Sequence, residues 1–411
     1  MHRSVIVGQS GGPTAVINSS LVGVYKTARD RGAKKIYGML HGIQGLLDGQ
    51  YVDLSEHIKT DLDMDLLKRT PSSFLGSCRY KLPDVSPNHE IYERIFALLK
   101  ELDIEAFFYI GGNDSMDTIK KLTDYGKLIG SDIKFMGVPK TIDNDLACTD
   151  HTPGFGSAAK YIASITKEVI RDSLAYDISS VTILEIMGRN AGWLTAAAAL
   201  AKGEDCDGVD MILLPELPLD IDRFTERVRK LMQTKKSIII AVSEGVKLPD
   251  GRFVCELVTH SASVDAFGHM RMQGAARCLA DTLTDRLGIK TRAIELNTLQ
   301  RCAAHMSSRV DITEAFQVGG AAVKAAFEGK TGMVTTLNRL SDDPYLCVTG
   351  IHDVHEVANI EKKVPLEWIT EDGTNVSEQL IHYIRPLIQA ELSPVMVDGL
   401  PRHLRLNLQG K

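Results

Sequence analysis

The chain has 411 residues, of which 44% are hydrophobic and 24% charged, with a formal net charge of -6. A chain of this length buries a large core and divides into two or three compact units, because single cores stop growing near ~250–300 residues. The acidic balance with no Lys/Arg run excludes nucleic acid as a partner, and the absence of any apolar run approaching ~18 residues excludes a membrane helix.

The 7 cysteines are scattered, form no CxxC pair and are assigned to neither metal nor disulfide. Ahead of Gly8 the only apolar run is Val5–Val7, too short for a signal-peptide core. The expected location is therefore cytoplasmic.

Short β-branched runs alternate with longer helical patterns, which predicts an α/β architecture with largely parallel sheets. The first unit runs from Val5–Val7 into Gly8-Gln9-Ser10-Gly11-Gly12-Pro13 and then a helical pattern through Tyr25. The glycine pair lets backbone N–H groups approach an anion at a helix N-terminus, although a structural βα turn has the same appearance. A dinucleotide loop would need GxGxxG, which this segment lacks. From Lys34 to Pro71 the pattern is irregular. Gly76-Ser77-Cys78-Arg79 then sets an arginine in a small-residue turn, where it can fork onto a phosphate or sit in solvent.

A second buried strand, Ala106–Ile110, leads into Gly111-Gly112-Asn113-Asp114-Ser115 and a helix. A third, Ile133–Val138, leads into Pro139-Lys140-Thr141-Ile142-Asp143-Asn144-Asp145. Ligands in open α/β sheets lie outside the carboxyl ends of strands, so these loops are expected to share one site. Two carboxylates beside a lysine and a hydroxyl suit phosphoryl transfer to an alcohol, since a carboxylate can take the proton while a cation neutralises the moving charge. A polar Asx-type turn would look the same in isolation.

Further on, a helix is predicted over about 158–174, and a strand at Val181–Ile186 ends in Met187-Gly188-Arg189. An Ala-rich helix over Trp193–Ala201 follows. A strand at Met211–Leu214 precedes a helix at Ile221–Met232, and a strand at Ser237–Val242 ends in Ser243-Glu244-Gly245. A helix over Gln273–Leu287 leads to a strand at Arg292–Leu296 and then to Arg301. A helix patterned on Phe316, Gly319, Gly320, Val323 and Phe327 closes at Gly329. Beyond Asp342 only a strand around Leu346–Thr349 and a helix around Glu378–Gln389 are expected, with no catalytic constellation.

Taken in order, SGG, GSCR, IGGNDS, PKTIDND, MGRNAG, SEG and the Arg292–Arg301 segment resemble the phosphofructokinase family across most of residues 3 to 340. The resemblance implies two α/β/α domains that exchange segments around an active-site cleft. The expected division is a phosphoryl-donor unit of 1–155 plus 300–350 and a sugar-phosphate unit of 156–299 plus 351–411. It also implies that Asp143 is the base for the sugar's 1-hydroxyl, with Thr141, Ile142 and Asp145 beside it. Met187, Gly188, Arg189, Glu244, Thr298 and Arg301 would contact fructose 6-phosphate, and Arg292 would reach the sugar phosphate of a neighbouring subunit in a homodimer or homotetramer. Gly11, Gly12, Arg79 and Gly112 would lie on the phosphoryl donor.

Lys140 and Asp114 stand where ATP-using members carry glycine and where pyrophosphate-using members carry lysine and aspartate. The expected donor is therefore pyrophosphate, with an ATP-using kinase or a non-catalytic regulatory subunit as rivals. A carboxylate at Asp114 would repel a nucleotide's α-phosphate by charge and bulk, and Lys140 would stabilise charge on the phosphoryl oxygens. Mg2+ is the implied cofactor. Most members place an aspartate at Asn113 to help hold it, which leaves Asn113 a metal neighbour and Asp143, Asp145 or Asp114 as alternative ligands. Ser180 and Thr298 replace an arginine and a histidine of bacterial ATP-using members.

Overall fold

A computed structural model describes residues 2–257 and 274–407. The first sheet takes its early strands from β1 (Ser4–Gln9), β2 (Ile36–Met39), β3 (Tyr51–Asp53), β4 (Ile104–Gly111) and β5 (Lys134–Pro139). The second sheet is built from β6 (Ser180–Ile186), β7 (Met211–Leu213), β8 (Ser237–Ser243) and β9 (Lys290–Glu295), all parallel in the order β7, β8, β6, β9. The chain then returns, and β10 (Met333–Asp342) and β11 (Tyr345–Asp353) complete the first sheet in the order β11, β10, β5, β4, β1, β2, β3. β3 and β11 run antiparallel at the two edges and the rest are parallel.

The near-continuous apolar runs of the central strands follow from burial on both faces. Val5, Val7, Ala106, Phe108, Ile110, Met136 and Val138 pack under the helices Ile17–Asp30 and Arg309–Phe327. Ile6, Phe107, Tyr109 and Phe135 face the opposite way, toward Tyr92, Ile95, Met116 and Ile119. The second sheet is sandwiched likewise. Val181, Ile183, Ile238 and Ile240 meet Phe224, Val228 and Leu279, while Ile186, Ile212 and Ala241 belong to a core with Phe155, Trp193 and Leu380. Among the described residues no helix is long and apolar enough to cross a membrane.

Two helices separated in sequence by about two thirds of the chain, Ile17–Asp30 and Arg309–Phe327, touch backbone to backbone. A Cβ on Gly23 would fall far inside contact with the Phe316 carbonyl, and one on Gly319 would meet the Ser20 carbonyl. Gly23→Ala must push these helices apart, so it should destabilise by about 1–3 kcal/mol, the usual range for overpacking. An unchanged midpoint in a thermal melt would refute that.

Several boundaries differ from the pattern-based expectation for identifiable reasons. The helix expected near 158 starts at Phe155, because the Asp311 carboxylate accepts the N–H groups of Gly154 and Ser157, each at 2.8 Å. The Ala-rich helix is α-helical only over Trp193–Ala196 and tightens to a 3-10 helix over Ala197–Ala201. The last long helix stops at Ile384, where Pro386 offers no N–H, and a 3-10 turn follows. The irregular stretch after Lys34 holds the two short strands β2 and β3. The Gln273 start of the following helix lies outside the described residues, within which that helix covers Ala275–Leu287. Leu404 and Leu406, grouped by sequence with the second unit, pack against the core of the first sheet.

Candidate active site

The carboxyl ends of β1, β4 and β5 are knitted together by backbone hydrogen bonds. Ser10 N–H donates to Ile110 at 2.9 Å and Lys140 N–H to Gly111 at 3.0 Å. Gly11 takes φ +75°, a left-handed conformation suited to glycine. Its N–H donates to the Cys78 carbonyl at 3.2 Å, and Ser77 Oγ donates to the Gly11 carbonyl at 2.6 Å. These contacts bring the Arg79 turn onto the glycine loop. Gly112 precedes the helix Asn113–Leu128, whose first-turn N–H groups make an anion-binding end.

In the loop after β5, Ile142, Asn144 and Leu146 turn inward while Thr141, Asp143 and Asp145 stay partly open. Asn144 is the anchor. It adopts φ +55°, donates from Nδ2 to Tyr383 Oη at 2.8 Å, and accepts at Oδ1 from Thr152 N–H at 3.0 Å. Thr141 Oγ1 accepts from Asp143 N–H at 3.1 Å, which fixes the turn. Lys140 is 3% exposed and its Nζ donates to the Gly12 carbonyl at 2.7 Å, so the ammonium lies at the glycine loop.

The facing wall comes from the second sheet. Gly188 N–H points at Glu244 Oε1 at 3.4 Å, and Met187 N–H donates to Gln300 Oε1 at 3.2 Å. Arg301 follows Gln300 on this wall and reaches toward the glycine loop, close enough that a Cβ on Gly12 would come within 3.2 Å of its Nη1. Together the walls enclose a cleft of about 610 Å³. Gly11, Gly12, Arg79, Gly112, Asn113, Asp114, Lys140, Thr141, Ile142, Asp143, Asp145, Met187, Arg189, Glu244 and Arg301 all line it.

Other expected contacts lie elsewhere. Gly188 sits just behind the wall. Thr298 is exposed outside the cleft, at the start of the short turn Leu299–Cys302 that presents Arg301, and its side chain makes no capping hydrogen bond there. Arg292 is on the outer surface, half exposed, with Nη1 3.4 Å from Asp172, in a recess it shares with Ser180. Cleft residues given no role from sequence include Lys81, Asn190, Asn359 and Glu361. The last two lie past Asp342, where the sequence pattern shows no catalytic constellation. They belong to a segment without periodicity, brought in by pairing with the loop after β5.

Electrostatics separate the groups. Burial lowers Lys140 to about 8, although Asp143 and Asp145 pull it back up. Burial raises Asp143, opposed by Lys140, Arg189 and Arg301. Asp145 rises to about 7 through burial and the charge of Asp143, and Glu244 rises to about 8 for the same two reasons. A cation among these carboxylates would lower all three. Asn113 has both side-chain amide atoms buried without a hydrogen-bond partner. An oxygen-rich set of Asn113, Asp143 and Asp145 therefore fits a hard cation such as Mg2+, which takes one or two carboxylates and completes its shell with substrate oxygens and water. Among the described residues, the cysteine- and histidine-containing clusters with metal-ligand spacing, Cys148–His352–Glu356 and His151–Glu314–Cys347, lie outside the cleft.

Known proteins bear on this geometry. The family pattern "Phosphofructokinase" matches residues 4–326. A protein of Methylococcus capsulatus named pyrophosphate–fructose 6-phosphate 1-phosphotransferase is 40% identical over 408 residues, 98% of this chain and 96% of that one. A sulfofructose kinase of Alkalicoccus urumqiensis is 32% identical over 370 residues, 90% of this chain and 89% of that one. The crystal structure of a pyrophosphate-dependent phosphofructokinase from Nitrosospira multiformis superposes with a TM-score of 0.88 at 37% identity, covering 98% of this chain and 96% of that chain. With the pattern spanning most of the sequence and a relative similar along nearly all of it, the chain belongs to the phosphofructokinase family.

Proposed function

We propose that this chain transfers a phosphoryl group from pyrophosphate to the 1-hydroxyl of fructose 6-phosphate, giving fructose 1,6-bisphosphate and phosphate, and runs in both directions. The observation that carries the reading is the placement of Lys140 and Asp114 in one cleft with Asp143. Asp143 takes the hydroxyl proton as the oxygen bonds to phosphorus. Its raised pKa strengthens it as a base and lets it return the proton in the reverse direction. Lys140, beside the Gly12 carbonyl, meets the charge on the transferring group, and Arg79, Lys81 and the start of the Asn113–Leu128 helix hold the rest of the donor. Arg189, Arg301 and Glu244 hold the sugar phosphate on the facing wall. When bound, Mg2+ would screen the donor's charge, with Asn113 and Asp145 as the residues to hold it and Asp143 left free as the base. Asp114 bars the longer, more charged tail of a nucleotide. A coupled assay supplying pyrophosphate and then ATP tests this reading, and preference for ATP would overturn it.

The active form is a homodimer or homotetramer in which Arg292 serves a neighbour's sugar site. Its support is the position of Arg292 on the outer surface, away from its own cleft. Arg292→Ala should raise the KM for fructose 6-phosphate roughly tenfold to a hundredfold, the loss of a charged hydrogen bond. Mixing Arg292→Ala with Asp143→Asn chains should restore part of the activity. Failure to complement despite proven subunit exchange would count against the shared site.

A further inference from the structure

The segment Asn359–Val364 lies beyond the residues matched by the family pattern, yet it bonds to the helix after β4, to the loop after β5 and to the wall from the second sheet. Asn359 Nδ2 donates to Asp117 Oδ1 at 3.0 Å, one turn into the Asn113–Leu128 helix. Glu361 pairs as an antiparallel bridge with Leu146, and Lys362 N–H donates to the Asp145 carbonyl at 2.7 Å. Lys362 Nζ reaches the carbonyls of Thr149 and Asp150 at 3.1 and 2.6 Å, and its own carbonyl accepts Trp193 Nε1–H at 2.9 Å. Glu216 ties the end of the segment to the same wall, its Oε1 accepting the N–H groups of Gly192 and Val364 at 2.9 and 3.0 Å.

The Glu361 side chain completes this set from a segment whose backbone is fixed. Its Oε1 accepts from Asn190 Nδ2 at 2.7 Å, and Asn190 directly follows Arg189 in the loop after β6. One residue thus joins the loop carrying the base to the loop carrying the sugar-phosphate contacts. The two loops arise from different sheets, so their spacing is set by such cross-links and by no shared strand register.

We propose that Glu361 is a positioning residue for the sugar half of the cleft, holding the Met187–Asn190 loop in register with Asp143 through Asn190. This rests on the functional reading above. Among the described residues, the hydrogen bond Glu361 makes through its side chain goes to Asn190 on the sugar side, while Lys140 is held by Gly12, so the loss of Glu361 should fall on the sugar and spare pyrophosphate.

The test measures KM for each substrate, kcat, and calorimetric binding of fructose 6-phosphate without donor. Glu361→Ala should raise the KM for fructose 6-phosphate roughly five- to tenfold, the size of one hydrogen bond, with the KM for pyrophosphate nearly unchanged. Glu361→Gln keeps an oxygen for Asn190 Nδ2 and should restore most of the loss. Asn190→Ala should match Glu361→Ala, and the double variant should be no worse than either single one, as expected of partners in one contact. An unchanged KM for fructose 6-phosphate in folded Glu361→Ala, or additive effects in the double variant, would overturn the proposal. If Glu361→Ala fails to fold, Asn190→Ala decides alone, since an unchanged sugar KM there also overturns it. Wild-type protein that binds no fructose 6-phosphate would instead refute the functional reading, and the proposal with it.

Discussion

Asp143→Asn should slow turnover by roughly 10² to 10⁴, the range expected when a positioned base is removed, while fructose 6-phosphate binding changes little. Asparagine preserves the side chain's shape and the turn made by Thr141 Oγ1, but it cannot accept the hydroxyl proton. The pH profile supplies a second reading. Burial raises Asp143 and a nearby cation would draw it back down, and the base works only when ionised, so wild-type rate should fall as pH drops through the value those opposed effects leave. Asp145, held near 7 partly by the charge of Asp143, titrates with it, so the acid limb belongs to the pair. That limb should be lost or displaced in the Asn variant. Near wild-type turnover with an unchanged profile would remove Asp143 from the role.

Lys140→Gly should cut pyrophosphate-dependent turnover by roughly 10² to 10³, comparable with loss of one donor that stabilises transition-state charge. The ammonium is almost wholly buried and fixed at the Gly12 carbonyl, so it meets the transferring charge from a set position with little screening by solvent. Asp114→Gly should act differently, opening room beside Asn113 and letting measurable ATP use appear. Steady-state kinetics with both donors separates the two effects. Lys140→Gly with full pyrophosphate activity, or Asp114→Gly with no ATP use, would refute the corresponding role.

The three loops at the ends of β1, β4 and β5 were legible in the sequence because each joins a buried apolar run to glycine or acidic residues. The parallel architecture was legible for the same reason, since strands sandwiched between helices are apolar on both faces. What local pattern could not reveal depends on distant partners. After its half-buried first residue, Met333, β10 runs through Val334, Thr335, Thr336 and Leu337, all buried, but its outer half alternates exposed and half-buried residues once it leaves the cover of the helices. The start of the Phe155–Ser173 helix is capped by Asp311, and Asn144 is braced by Tyr383. Glu361 enters the cleft because Leu146 pairs with it, an arrangement carried by no motif. Thr298 stands apart from these, exposed at the start of the Leu299–Cys302 turn and not among the cleft-lining residues.

The late return of β10 and β11 to the first sheet has a cost during synthesis. β5 borders β10 in the finished sheet, yet the whole second sheet is encoded between Pro139 and Met333. At about 5–20 residues per second, roughly 10–40 s separate the emergence of these two strands from a ribosome. Throughout that interval one side of β5 presents unpaired N–H and C=O groups, the kind of open edge on which chains aggregate. Nascent chains halted before residue 333 should therefore associate with one another or with chaperones, while chains released after residue 353 can close that edge from within.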